Sequence, residues 1–200
     1  MAKLKLTKNE LKKQKDQLKM FQRYLPTLML KKQQLQAEIR GVEARVNELR
    51  DEKTKLDETF KAWIAVFGEK GVFTADILRI TRINVREGNI AGVPIPVFEG
   101  TEFEIARYDL LKKPLWLDTA VEKLKKALEI DMEARTLEEQ QRRLEKELRT
   151  TTQRVNLFEK IKIPEARANI KKIQVYLGDQ QTAAVVRGKI SKRGMERAAG

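Results

Sequence analysis

From Leu18 onward, apolar residues recur at alternating steps of three and four: Leu18, Phe21, Leu25, Leu28, Lys32, Leu35, Ile39, Val42, Val46, Leu49, Lys53, Leu56, Phe60, Trp63 and Phe67. Thirteen of these fifteen positions are apolar. A 3.5-residue repeat keeps one narrow stripe facing a partner helix, so the pattern predicts a coiled-coil helix over residues 1–67. Lys32 and Lys53 interrupt the stripe. The favoured reading is that their stems run along the seam with the ammonium in water; the other is that they set register against acidic partners on the facing helix. Pro26 removes one backbone hydrogen bond and crowds the carbonyl of Gln22, which predicts a kink over residues 22–26 in a helix whose apolar phase continues through it.

A second periodic stretch fills residues 114–191. Pro114 suits a first helical position, and Asp118 and Glu122 suit a first turn. The apolar series runs Leu117, Val121, Leu124, Leu128, then Leu137, Leu144, Leu148, Val155, Phe158, then Ile163, Ala166, Ile170, Ile173, Leu177. Its phase slips near Met132 and again at Ile161–Pro164, where a second kink is expected. Glu138–Arg142 and Glu139–Arg143 are spaced for ion pairs along one solvated face. If the two helices pair antiparallel within one chain, positions whose numbers total about 182 face each other. The second helix then overshoots the first and carries Arg187, Lys189, Lys192 and Arg193 beyond it, ahead of a basic tail at 192–200.

Between the helices, residues 68–113 change character. β-branched residues flank Glu87-Gly88-Asn89, so a short hairpin is expected at about 80–97 with its turn there. Pro94 and Pro96 make its second strand an edge. An isolated hairpin is marginal in water, so Ile83, Val85, Ile90, Val93 and Ile95 need a surface: the coiled-coil base with Trp63 and Trp116, read as local core, or another protein. The fold class is mainly α: a long antiparallel two-helix coiled coil of the N- and C-terminal helices, with a short β-hairpin and small helical segments between them, forming one elongated unit.

Composition narrows the chemistry. Histidine and cysteine are absent, which removes imidazole and thiolate metal sites, triad catalysis and disulfides. Ala183–Ile190 lacks the first glycine and the hydroxyl residue of a phosphate loop. Carboxylates fall on exposed helical faces, where nothing tunes them for acid–base work. The reading is a non-enzyme with no cofactor. No apolar run is long enough to cross a bilayer, and the start has no apolar core of a leader, so a cytoplasmic location is expected. The net charge of +13 is uneven: residues 1–40 carry 11 basic and 3 acidic side chains, while the middle is nearly neutral.

The stretch Thr151-Thr152-Gln153-Arg154-Val155-Asn156-Leu157-Phe158-Glu159 resembles the arginine–valine–asparagine–x–x–glutamate core of the D subunit of V-type and archaeal A-type ATPases, the central rotor shaft. Ile163-Pro164 with Ile170, Ile173 and Leu177 fits the same family, and the hairpin Ile83–Val97 is similar to its mid-chain insertion. The resemblance implies a central-stalk subunit coupling ATP hydrolysis or synthesis to ion translocation, lying peripheral to the membrane through its complex. It implies that the basic end enters a hexamer of catalytic and non-catalytic subunits. The small F subunit would bind alongside, and a connector subunit of the membrane sector would lie below.

The alternatives are a basic coiled-coil tether, including a homodimer, and a non-specific nucleic-acid binder held by charge alone. No reader motif for specific nucleic-acid recognition is present. An intramolecular hairpin predicts a monomer: light scattering coupled to gel filtration should return about the chain mass of 23.2 kDa, whereas a doubled mass would put the pairing between molecules.

Overall fold

The computed structural model describes residues 4–61, 77–106, 114 and 116–198. Trp63, Phe67 and the expected small helical segments lie outside these residues. The elements are α1 (Lys8–Lys61), β1 (Leu78–Ile90), β2 (Val93–Ile105), α2 (Trp116–Leu157), a π-helical turn (Phe158–Lys162) and α3 (Ile163–Ala198). The chain divides into two compact units, residues 1–31 with 151–200, and residues 32–150.

In the second unit, Leu35, Ile39, Val42 and Val46 of α1 bury against Leu144 of α2, with Leu137 and Leu148 packed beside them. The hairpin lays its tip on this cluster: Val93 and Ile95 are buried in it, and Ile90, Ala91 and Val97 pack against it. The hairpin therefore rests partly on the 35–46 and 137–148 region, not only at its root. At the root, Ile77 joins Leu117 and Val121 in a separate cluster that also receives Leu78 and Trp116.

The strands are longer than the expected 80–97 stretch, and the turn sits elsewhere. It is formed by Ala91 and Gly92, both with positive φ (52° and 80°), which is the backbone of a two-residue primed turn. Asn89 Oδ1 accepts the Gly92 N–H at 2.9 Å. Packing explains the choice over Glu87-Gly88-Asn89. Within a single strand Ile90 and Val93 would point to opposite faces; with the turn at 91–92 they become a cross-strand pair, and Gly88↔Ile95 and Arg86↔Val97 follow on the same face. Only this register sends Ile90, Val93, Ile95 and Val97 together onto the helices. Gly88 is needed inside the strand because a Cβ there would lie 2.7 Å from Val97 Cγ2. Two register shifts, at Ile80/Arg82 and Asn84/Val85, are bulges that increase ribbon twist.

In the first unit, α1 meets the end of α2 and α3. The Phe21 and Phe158 rings lie 5.0 Å apart, and Asn169 Nδ2 donates to Gln14 Oε1 at 3.5 Å. Both contacts lie within a turn of the antiparallel register read from the sequence. α1 stays helical through Pro26, and α2 stays helical through Met132. The expected slip at 161–164 takes the form of a π turn that begins just before it, in which the Ile163 N–H bonds to the Phe158 carbonyl five residues back.

The count of residues shows why. Leu144, Leu148, Thr151, Val155 and Phe158 step by four and three; continuing that phase would put Lys162, Glu165, Asn169, Lys172 and Tyr176 in the seam. The one extra residue of a π turn delivers Ile163, Ala166 and Ile173 instead, all buried. Pro164 favours the wide turn as well, because in a regular α-helix its ring crowds the carbonyl of Lys160. Inserting one alanine after Lys160 should therefore put Lys162, Glu165 and Asn169 in the seam and destabilise the first unit by at least about 3 kcal/mol, read by chemical denaturation. Deleting Lys160, which lets a regular α-helix deliver the same Ile163, Ala166 and Ile173, should cost far less, as should Pro164→Ala, which leaves the count intact.

Candidate functional site

With histidine and cysteine absent, the features followed along this chain are its surfaces and the joints that hold them. Among the described residues, no group of three or more Asp or Glu side chains is placed to hold a metal, and no helix is long and apolar enough to cross a membrane.

The seam residues divide by depth. Leu35, Ile39, Val42, Val46, Leu49, Leu144, Val155 and Ile173 are buried; Leu18, Leu25, Leu28, Leu56, Phe60, Leu148, Phe158 and Ile170 are half-buried. Two buried polar side chains carry no apolar signature and were not singled out from the sequence: Thr151, 1% exposed, and Gln140, 6% exposed. Leu144, Leu148, Thr151 and Val155 step by four, three and four, so the period alone marks position 151.

Flanking the seam in the second unit is a series of cross-helix ion pairs. Arg45 meets Glu133 at 3.0 Å, Arg50 meets Glu138 at 2.7 Å, and Lys126 meets Glu52 at 2.9 Å. Lys53 does not simply reach for water: its Nζ lies 2.5 Å from Asp131 Oδ1, and Arg135 takes the other carboxylate oxygen at 2.9 Å. Of the two readings of this seam lysine, the register-setting one holds. The Lys53 hydrogen bond pulls the Asp131 carboxyl below its ordinary value against the opposing effect of partial burial. Lys126 does the same to Glu52. Because Glu138 bonds across to Arg50, the expected Glu138–Arg142 pair does not form; Arg142 and Arg143 both bond to Glu139, whose carboxyl falls to about 2.

The hairpin is bolted to α2 through its backbone. Gln140 Nε2 donates to the Pro96 carbonyl at 2.5 Å and Arg143 Nη1 to the Pro94 carbonyl at 3.3 Å. Proline has no N–H, so the outer edge of β2 offers only acceptors at these two positions, and α2 supplies donors to both. Of the hairpin residues picked from the sequence, Val93 and Ile95 are buried and Ile90 half-buried, while Ile83 (43%) and Val85 (47%) are exposed. The structure thus splits that set between an inward and an outward face.

At the far end of α3, every described side chain from Gly178 to Met195 except Ala183 is exposed. Arg187, Lys189, Lys192 and Arg193 lie on this stretch with exposed Val185, Val186 and Ile190. In the motif around residue 154, Val155 and Thr151 face inward, whereas Arg154, Asn156 and Glu159 are exposed, so these polar positions are not spent on internal packing.

Gln140→Leu should leave the Pro96 carbonyl without its donor and cost about 1–3 kcal/mol by denaturant titration. Asp131→Asn should lower stability at neutral pH by up to about 1 kcal/mol. Because the folded carboxyl is the more acidic one, its contribution is present above the ordinary Asp range near 4. It fades as pH falls through the lower folded value, so acid titration should bring the variant and the parent together.

Residues 10–193 match the family model for the D subunit of ATP synthase. The chain is 55% identical to the V-type ATP synthase D subunit of Borreliella burgdorferi over 192 residues, covering 96% of this chain and 95% of that protein. It is 35% identical to the protein of the same name from Chlamydia pneumoniae (96% and 93% covered) and 33% identical to that from Chlamydia muridarum (96% of both). The chain belongs to the family of ATP synthase D subunits.

Proposed function

We propose that this chain is the central shaft of a rotary V/A-type ATPase, a non-catalytic subunit coupling ATP hydrolysis or synthesis in a hexamer of catalytic and non-catalytic subunits to ion translocation through a membrane sector. The observation that carries the reading is the antiparallel pairing of the two ends of one chain, Phe21 on Phe158 and Gln14 on Asn169, in a member of a family whose relatives are named as ATP synthase subunits. A part that transmits torque must resist twisting, and two helices locked by a packed seam and cross-helix ion pairs resist it better than one helix does. A shaft must also present different faces to otherwise equal catalytic sites. The one-residue phase change at the π turn and a hairpin packed against the helices supply that inequality.

In this reading the exposed basic end of α3 enters the hexamer, where Arg187, Lys189, Lys192 and Arg193 are centred by long-range attraction to acidic or carbonyl-lined surfaces. The seam from Leu18 to Phe60 and from Leu144 to Ile173 is the torsional element. The small F subunit lies alongside, the hairpin belongs to the partner-facing surface, and a connector subunit meets the opposite end. The chain carries no membrane insertion of its own and is held at the membrane by its complex.

Co-expression with candidate hexamer subunits should recover this chain at about one copy per hexamer, measured by native mass spectrometry; failure to co-purify overturns the shaft reading. Combined Lys189→Gln, Lys192→Gln and Arg193→Gln substitution should weaken assembly or turnover. Unchanged values for both would remove the basic bearing while leaving the shaft intact.

A further inference from the structure

The hairpin has two unlike edges. The carbonyls of Pro94 and Pro96 point out of the ladder, since they accept from Arg143 and Gln140 of α2. In an antiparallel pair, residues directly opposite share this orientation. Asn89 faces Pro94 and Glu87 faces Pro96, so the N–H and C=O groups of Glu87 and Asn89 also point outward, from the opposite edge of the ribbon. Val85, opposite Phe98, follows by the same alternation. Among the described residues no group bonds to this edge, and Val85, Arg86, Glu87 and Asn89 are all exposed. One edge is closed by prolines and a helix; the other is an open row of donors and acceptors.

Side chains beside the open edge are also set for a partner. Val85 and Phe98 share the face opposite the one that buries Ile95, and Ile83 lies two residues along the strand on that same face, leaving an outward apolar strip. Across the ribbon, arginines of β1 face glutamates of β2: Arg79↔Glu104 and Arg82↔Glu102 in register, and Arg86 ion-paired to Glu99 at 2.9 Å. A third strand on the β1 edge would meet the arginine side of this ladder. A second copy of β1 would set arginine against arginine, which is unfavourable for directly opposed pairs.

We propose that the β1 edge from Val85 to Asn89 is a docking site for an extended segment of a different protein, which adds as a third strand and carries carboxylates alternating with apolar side chains. Backbone bonds to Val85, Glu87 and Asn89 hold the segment. Its carboxylates extend the glutamate–arginine ladder, and its apolar side chains cover Ile83 and Val85. Nothing in this pairing depends on the rotor assignment, so the two stand or fall separately.

The test uses the full chain and two capped eight-residue peptides, one alternating glutamate with valine and one alternating lysine with valine. Binding is read by fluorescence anisotropy and by amide hydrogen exchange. The acidic peptide should bind, slow exchange at the Val85, Glu87 and Asn89 amides, and outcompete the lysine peptide. Glu87→Pro, which mirrors Pro96 across the ladder and removes one edge donor together with a negative charge, should weaken acidic-peptide binding about ten-fold or more. No binding at millimolar peptide, equal binding of the lysine peptide, or protection elsewhere in the chain overturns the proposal. So does unchanged affinity in a folded Glu87→Pro protein. If that variant loses the hairpin, the exchange pattern of the unsubstituted chain decides alone.

Discussion

A pair of α-helices buries a continuous stripe only if the residue count between successive contacts keeps that stripe facing the partner, and much of this molecule follows from that constraint. The register is not adjustable by small strains: a one-residue error turns a helix by about 100° and exchanges isoleucines for lysines. At Phe158–Lys162 the chain meets the constraint with an inserted residue held in a π turn. The insertion lies immediately before Pro164, the residue least compatible with a regular turn. Two independent preferences, the seam phase and the proline ring, are satisfied by one irregularity.

Electrostatics refines what the seam establishes. Lys53 sits at a position where an apolar side chain is the rule, and Asp131 together with the Arg135 interaction turns that defect into a register mark. The pair is partly wet, so its energetic contribution is modest, but any other alignment of the helices leaves a half-buried ammonium without its carboxylate. Glu138 shows the same competition from the other side. Its helical neighbour Arg142 was within reach, yet the cross-helix partner Arg50 takes it, and Arg142 turns to Glu139. Local spacing rules define the possible pairs; packing selects among them.

The hairpin shows where reading by residue type fails. Glu-Gly-Asn has stronger turn chemistry than Ala-Gly, yet the turn forms at Ala91-Gly92. Only that register places Ile90 on the same face as Val93 and Ile95, and the helices require that face. Ala91 bears a left-handed backbone that costs an L-residue roughly 1–2 kcal/mol, while its methyl packs on the α1–α2 cluster. Gln140 was equally silent in the sequence. Nothing in a glutamine among arginines and glutamates marks it as buried until two prolines present carbonyls with no strand to receive them.

The sequence by itself determined the paired helices, the phase of their seam, the presence of a hairpin, the slip near Pro164 and the absence of histidine and cysteine. Each of these is written in periodicity or in residue type, which are local properties. Tertiary structure decided how the slip is absorbed, where the hairpin turns, which carboxylate each cation takes, and which hairpin edge stays open. These outcomes compare alternatives that are locally near-equal in energy, and the difference between them lies in contacts with segments from 44 to 155 residues away, which no short window of sequence contains.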